Sequence, residues 1–225
     1  MRSLLLCLIF VVAFWTADAS NTEQVVVRRV QEKVSLDCPA LADSEEYNGV
    51  MWNRNTIFFV TVAKNKEISY AIGAPSGRIT VASKYELVLT DLETSDSGNY
   101  SCQISINKNG TWQLQETTHI MTVQDVPSAP GQPEVKNVES RQATISWRPS
   151  EANNSPISAY ILSVRDCQGN LILDYSTHNE SLQMTVDGLS PWTCYTASVL
   201  AVNGVGRSSH SEASDQFYTQ EEAMG

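Results

Sequence analysis

Residues 96–102 read DSGNYSC, and three readings compete for that stretch. Asp96-Ser97-Gly98 has the order of the catalytic triplet in proteases that work with a pair of aspartates. Asn99-Tyr100-Ser101 is an acceptor for an N-linked glycan. Asp96, Gly98, Tyr100 and Cys102 together have the form of a turn entering a strand, with the tyrosine and cysteine on one face because residues two apart share a side. A paired-aspartate site needs two carboxylates sharing one proton, so that one acts as acid and the other as base. The chain holds one such triplet, and Leu92-Glu93-Thr94-Ser95 ahead of it does not read as a buried strand. A homodimer would supply a second copy, but the third reading explains more of the surroundings. The glycan reading is compatible with it.

The chain has 225 residues and a formal net charge of −10. That charge argues against a nucleic-acid partner, which needs a basic footprint. The length suits two domains of about 100 residues each. Residues 1–19 show an early Arg2, an apolar run from Leu4 to Trp15 and the small-residue pattern Ala17-Asp18-Ala19, which reads as a secretory signal with cleavage after Ala19. Cys7 leaves with it, so four cysteines remain. No later stretch approaches the roughly 20 apolar residues of a membrane helix, and the tail at 220–225 is polar. The expected product is secreted and extracellular, with no membrane insertion after cleavage.

Short β-rich runs alternate with turn signals, and no helical period is sustained. Residues 23–30, 34–38, 50–53, 57–62, 79–81, 85–89, 100–104 and 112–123 read as strands of one sandwich. Cys38, Trp52, Tyr100 and Cys102 resemble the framework of an immunoglobulin domain. There the two cysteines bridge the sheets, the tryptophan packs on the bridge, and the tyrosine two before the second cysteine forms a corner. The resemblance implies a Cys38–Cys102 disulfide, worth about 4 kcal/mol in the chain-entropy model. It also implies that Arg78 pairs with Asp96 across the base of the sandwich, a structural role for that aspartate. The stretches MWNRNTIFFVTV, GRITV and YELVLTDLETSDSGNYSCQIS resemble the first domain of neuronal adhesion proteins of the lachesin and IgLON type. The expected domain spans 20–126 and is of variable or intermediate type.

Asp125-Val126-Pro127-Ser128-Ala129-Pro130 is a proline-bearing junction that favours extended chain. Beyond it, residues 143–147, 158–167 and 195–202 read as strands. Trp147, Tyr160, the corner Leu189-Ser190-Pro191-Trp192-Thr193-Cys194-Tyr195 and the stretch AVNGVGRSS resemble a fibronectin type III domain, expected at 127–219 with a polar tail at 220–225. Cys167 and Cys194 depart from that module. If Tyr160, Leu162 and Val164 face the core, Cys167 faces out. If Tyr195, Ala197 and Val199 face the core, Cys194 does too. The third and sixth strands are neighbours in this fold, so the resemblance implies a Cys167–Cys194 bridge. Among the three connectivities of four cysteines, only this one keeps each bridge within a domain. The fold class is therefore all-β, two tandem sandwiches.

Catalytic and metal signatures are missing. His119, His178 and His210 read as surface or strand residues. No paired cysteine spacing suits zinc, no G-x-S-x-G elbow occurs, and no phosphate or dinucleotide loop occurs. The patch Asp43-Ser44-Glu45-Glu46 lacks the spacing of a calcium loop, and Arg-Gly-Asp is absent. No cofactor and no enzymatic activity are expected. Asn99, Asn109, Asn153 and Asn179 are glycan acceptors, whereas Asn154 fails because Pro156 follows Ser155.

The resemblance implies a recognition or adhesion protein that docks reversibly on an extracellular or cell-surface protein, another immunoglobulin-superfamily member among the candidates. A nervous-system setting rests on that resemblance alone. Family domains of this type commonly dock through the sheet of strands G, F, C and C′. Ile57-Phe58-Phe59-Val60 places apolar groups on both faces of an edge strand, so at least one phenylalanine is expected outside. Met51, Asn53, Gln103 and Ser105 face out if Trp52 and Cys102 face in. The expected partner-binding face is Met51, Asn53, Phe58, Phe59, Gln103 and Ser105. A structural matrix component, or a soluble competitor of membrane-bound receptors, is the alternative.

Overall fold

The computed structural model describes residues 21–39, 46–71 and 77–222. The leader at 1–19, residues 43–45 of the acidic patch and the tail end at 223–225 lie outside the described residues. The chain divides into two compact units, one ending at Val123 and one beginning at Gln124.

The first unit is a sandwich of strands β1 (Asn21–Arg29), β2 (Val34–Leu36), β3 (Glu46–Arg54), β4 (Ile57–Val62), β5 (Ile68–Tyr70), β6 (Ile79–Val81), β7 (Leu87–Leu89), β8 (Gly98–Lys108) and β9 (Thr111–Gln124). One sheet has the order β1-β9-β8-β3-β4-β5 and the other β2-β7-β6. Strand β8 shows why it forms: Tyr100, Cys102, Ile104 and Ile106 are buried, and the residues between them are not. The alternation buries one face and leaves the other wet. Cys38 and Cys102 are joined as a disulfide, with Trp52 in the same core. Asn109 (φ 54°) and Gly110 (φ 84°) close the β8–β9 hairpin, where a two-residue turn with positive φ at both positions follows the strand twist.

Asp96, Ser97 and the backbone of Asn99 are committed to this fold. Asp96 is 2% exposed. Its carboxylate accepts Arg78 Nη1 at 2.8 Å and Nη2 at 3.3 Å, and Oδ2 also accepts the Glu93 N–H at 2.9 Å. Its carbonyl accepts the Tyr100 hydroxyl at 2.8 Å, and burial pushes that hydroxyl's pKa up to about 12. The Asp96 hydrogen bond, ahead of nearby carboxylates, raises the pKa of Arg78. The Ser97 hydroxyl accepts the Val123 N–H at 2.9 Å. A Cβ at Gly98 would sit 2.7 Å from Asn55 Oδ1, the atom that accepts the Asn99 N–H at 2.9 Å.

The second unit pairs a sheet of β10 (Glu134–Lys136), β11 (Gln142–Ser146) and β14 (Gln183–Asp187) with one of β13 (Leu171–Ser176), β12 (Ile157–Asp166), β15 (Cys194–Asn203) and β16 (Phe217–Tyr218). Trp147, Tyr160, Leu162, Val164 and Tyr195 lie in its core. The Tyr195 hydroxyl accepts the Ser190 N–H at 3.0 Å, closing the corner. Cys167 and Cys194 are bonded at the end where β12 and β15 meet. The junction belongs to this unit rather than to the first. Asn203 Nδ2 donates to the Asp125 carbonyl at 2.8 Å, and Asn153 Nδ2 donates to the Val126 carbonyl at 2.7 Å.

After β15 the chain runs alongside it with every third residue buried: Ser208, Ser211, Ser214 and Phe217. That period belongs to extended polyproline-like chain, not to a strand. The Oγ atoms of Ser208, Ser211 and Ser214 accept the N–H groups of Ala201, Val199 and Ala197 at 2.9, 3.0 and 3.0 Å. Their own N–H groups donate to the same residues' carbonyls at 2.9, 2.7 and 2.7 Å. Hydroxyls thus replace the missing ladder partners of β15.

Two outcomes follow from these contacts. Asp96→Asn removes the charge that holds Arg78 and should lower the stability of the first domain by about 2–3 kcal/mol, read by urea unfolding. An unchanged midpoint would mean that the pair is not structural. Ser211→Ala leaves the buried Val199 N–H without an acceptor, at a cost of about 1–3 kcal/mol. Amide exchange at Val199 should accelerate in that variant, whereas amides of the first domain should not change.

Candidate docking face

The six-stranded sheet turns one face to the core and the other to solvent. On the outer face the register sets side chains in rows. Ser101, Asn53 and Phe58 form one, and Glu116, Gln103, Met51 and Thr61 the next. Leu114 lies opposite Ser105, and Trp112 opposite Asn107. Gln103 Nε2 donates to Glu116 Oε1 at 3.2 Å, so the one carboxylate in the middle of the face is already engaged. Around these polar groups stand the exposed side chains of Met51, Phe58, Trp112 and Leu114, the last 61% exposed.

Met51, Asn53, Phe58, Gln103 and Ser105 share this face, but Phe59 does not. Trp52 pairs with Val60 and Asn53 with Phe58, which leaves Phe59 as the extra residue of a β-bulge. A bulge lets adjacent residues escape strict alternation. Phe59 is 6% exposed and Phe58 39%. The Phe59 ring meets Tyr100 edge-on at 5.9 Å. Phe59 is therefore a core residue, and its assignment to the binding face is corrected. Trp112 and Leu114 were overlooked. The signal for them was present, because counting back by twos from the outward Glu116 reaches both.

The remaining candidate residues are placed as follows. Asn99 is exposed on β8, at the end of the same face. Asn109 is at the exposed hairpin tip. Asn179 is exposed, with Oδ1 accepting the Ser181 N–H at 2.9 Å. Asn153 is half-buried, and the nitrogen that would carry a sugar is the one bonded to Val126. His178 and His210 are exposed. His119 is a strand residue but not a surface one. It is buried, stacked 6.0 Å from Trp52, with Nε2 2.8 Å from the Asp37 carbonyl. Among the described residues no group of three or more His, Cys, Asp or Glu could hold a metal ion. Among them, no helix is long and apolar enough to cross a membrane.

Residues 21–123 match the family model of the immunoglobulin V-set domain, and residues 128–217 match that of the fibronectin type III domain. The first domain thus belongs to the immunoglobulin superfamily. The chain is 28% identical to the neuronal cell adhesion molecule of Mus musculus over 91% of its own length and 16% of that protein. It is 31% identical to human Roundabout homolog 2 over 64% of its length and 11% of that protein. It therefore spans less than a fifth of these relatives. Among solved structures, the amphioxus IgVJ-C2 molecule superposes with a TM-score of 0.54 at 15% identity, covering 84% of this chain and 97% of that one, a likeness of fold.

The bulge separates the two phenylalanines experimentally. Phe58→Asp should leave the thermal transition of the V-set domain nearly unmoved. Phe59→Asp should abolish recovery of folded protein, since an unpaired carboxylate in an apolar core costs several kcal/mol. Equal melting curves for the two variants would contradict the bulged register.

Proposed function

We propose that this protein is an extracellular recognition and adhesion module that docks reversibly on another cell-surface or extracellular protein through the outer face of its V-set sheet. One observation carries the reading. Four large apolar side chains stand exposed on one face, around Asn53, Gln103 and Ser105 and with the Glu116 carboxylate held by Gln103 among them. Exposed aromatic and Met side chains are enriched in the cores of protein interfaces. The names of the relatives, adhesion molecules and a Roundabout protein, support the same direction. The mechanism is binding without chemistry. The secretory pattern at residues 1–19 supports release from the cell.

A screen of the tagged protein against a panel of cell-surface ectodomains identifies the partner. Leu114→Asp and Met51→Asp should then each weaken binding by roughly thirtyfold or more, the effect of losing an anchor worth about 2 kcal/mol. Their melting temperatures should match the parent. Binding that survives both substitutions would place the interface elsewhere.

A further inference from the structure

The corner that leads into β15 carries a residue that folding does not explain. Trp192 has φ 51°, in the left-handed region that glycine enters freely and a bulky residue enters at a cost. The backbone there is held firmly. The Trp192 N–H donates to the Gln220 carbonyl at 3.2 Å, and the Thr193 N–H to Thr219 Oγ1 at 2.9 Å. The indole gains little in return, because Trp192 is 73% exposed. Strain combined with exposure, at a fixed point of the fold, points to a use outside folding. At the same end of the sheet stands Tyr218, 65% exposed and opposite Cys194 on β16.

The electrostatics choose the kind of partner. Residues 127–222 contain eleven Asp or Glu against five Lys or Arg. The basic side chains near this end are engaged: Arg141 donates to both carboxylate oxygens of Glu222 at 2.9 and 2.8 Å, and Arg165 donates to the Gly169 carbonyl at 3.2 Å. Asp166 lies beside the Cys167–Cys194 bridge, and Glu221 follows Gln220, both without a cationic partner among the described residues. Hydrogen bonds from Asn170 hold the Asp166 carboxyl below the usual carboxylate range, so it is ionised at neutral pH.

We propose that Trp192 and Tyr218 anchor a second docking surface, on the fibronectin type III domain, for a basic protein segment that seats a lysine or arginine side chain on the exposed aromatic rings. A cation over an aromatic face is attracted by the ring quadrupole, most strongly by tryptophan, and the surrounding carboxylates add a field of the same sense. An acidic or purely apolar segment meets neither condition.

The test uses the full chain and three nine-residue peptides, alternating Arg-Ser, Leu-Ser and Asp-Ser, titrated by calorimetry at physiological salt. The Arg-Ser peptide should bind, and the other two should not. Trp192→Gly should reduce Arg-Ser affinity roughly threefold or more, the scale of one exposed cation–π contact, and Tyr218→Ser should also weaken it. Trp192→Gly should also melt at or above the parent temperature, because glycine accepts the left-handed conformation. Leu114→Asp, on the other domain, should bind the peptide as the parent does. Unchanged Arg-Ser binding in both corner variants would overturn the proposal, as would equal binding of the Leu-Ser peptide. A melting temperature that falls on Trp192→Gly would show the indole to be structural and would overturn it as well.

Discussion

The Asp96 carboxylate joins three parts of the first domain at one point. It receives the guanidinium of Arg78, just before β6, and the backbone of Glu93, while its own carbonyl receives Tyr100 at the start of β8. A nearly fully buried charge is tolerable only when paired and hydrogen-bonded, and here each requirement is met within a few residues. The cluster fixes where β8 begins and which of its residues face inward. Once Tyr100 faces in, so does Cys102, and Gln103 and Ser105 must face out. The chemistry of the outer face thus depends on an ion pair at the base of the sandwich. The same carboxylate is held by a cation rather than by the second carboxyl that a paired-aspartate site needs.

Much of this fold was legible because its strands obey a period of two. The run from Tyr100 to Ile106 alternates without a fault, and the Cys, Trp and Tyr spacings set the topology around it. Strand β5 was not legible. Its three residues, Ile68–Tyr70, are all exposed and carry no alternation to detect. The run after β15 was hidden for a different reason. Ser208, Ser211 and Ser214 repeat every three residues and are polar, so a search for apolar period two passes over them. Their burial is made possible by hydroxyls that stand in for backbone groups, an arrangement visible only when β15 is beside them.

The docking face was half legible. Met51, Asn53, Gln103 and Ser105 follow from alternation about Trp52 and Cys102. Phe59 was misassigned because a bulge is a change of count that a single strand's sequence does not mark. It becomes visible only in the pairing of β4 with β3. His119 reads from the sequence as a surface or strand residue; it is a strand residue, and β9 carries it inward in phase with Met121 and Val123. A buried histidine stacked on the central tryptophan is a packing solution, and polarity alone could not reveal it.

The places where simple rules failed are informative in different ways. Some departures are repaid by packing: the bulge drives Phe59 against Tyr100, and the serine repeat satisfies β15. These are features of stability. Trp192 is a departure with no such return, because its backbone would be easier with glycine and its ring lies in solvent. Natural sequences are locally consistent except where function demands otherwise. An unrepaid conflict between backbone preference and side chain therefore separates a binding surface from ordinary exposure, a distinction that exposure by itself does not draw. The V-set face meets a weaker form of the same criterion, since its apolar groups could be polar without loss to the core beneath them. The two surfaces lie on different domains and differ in kind. One is broad and built on rigid strands, suited to a flat protein partner. The other carries two exposed aromatic side chains in an acidic field, suited to single cationic side chains.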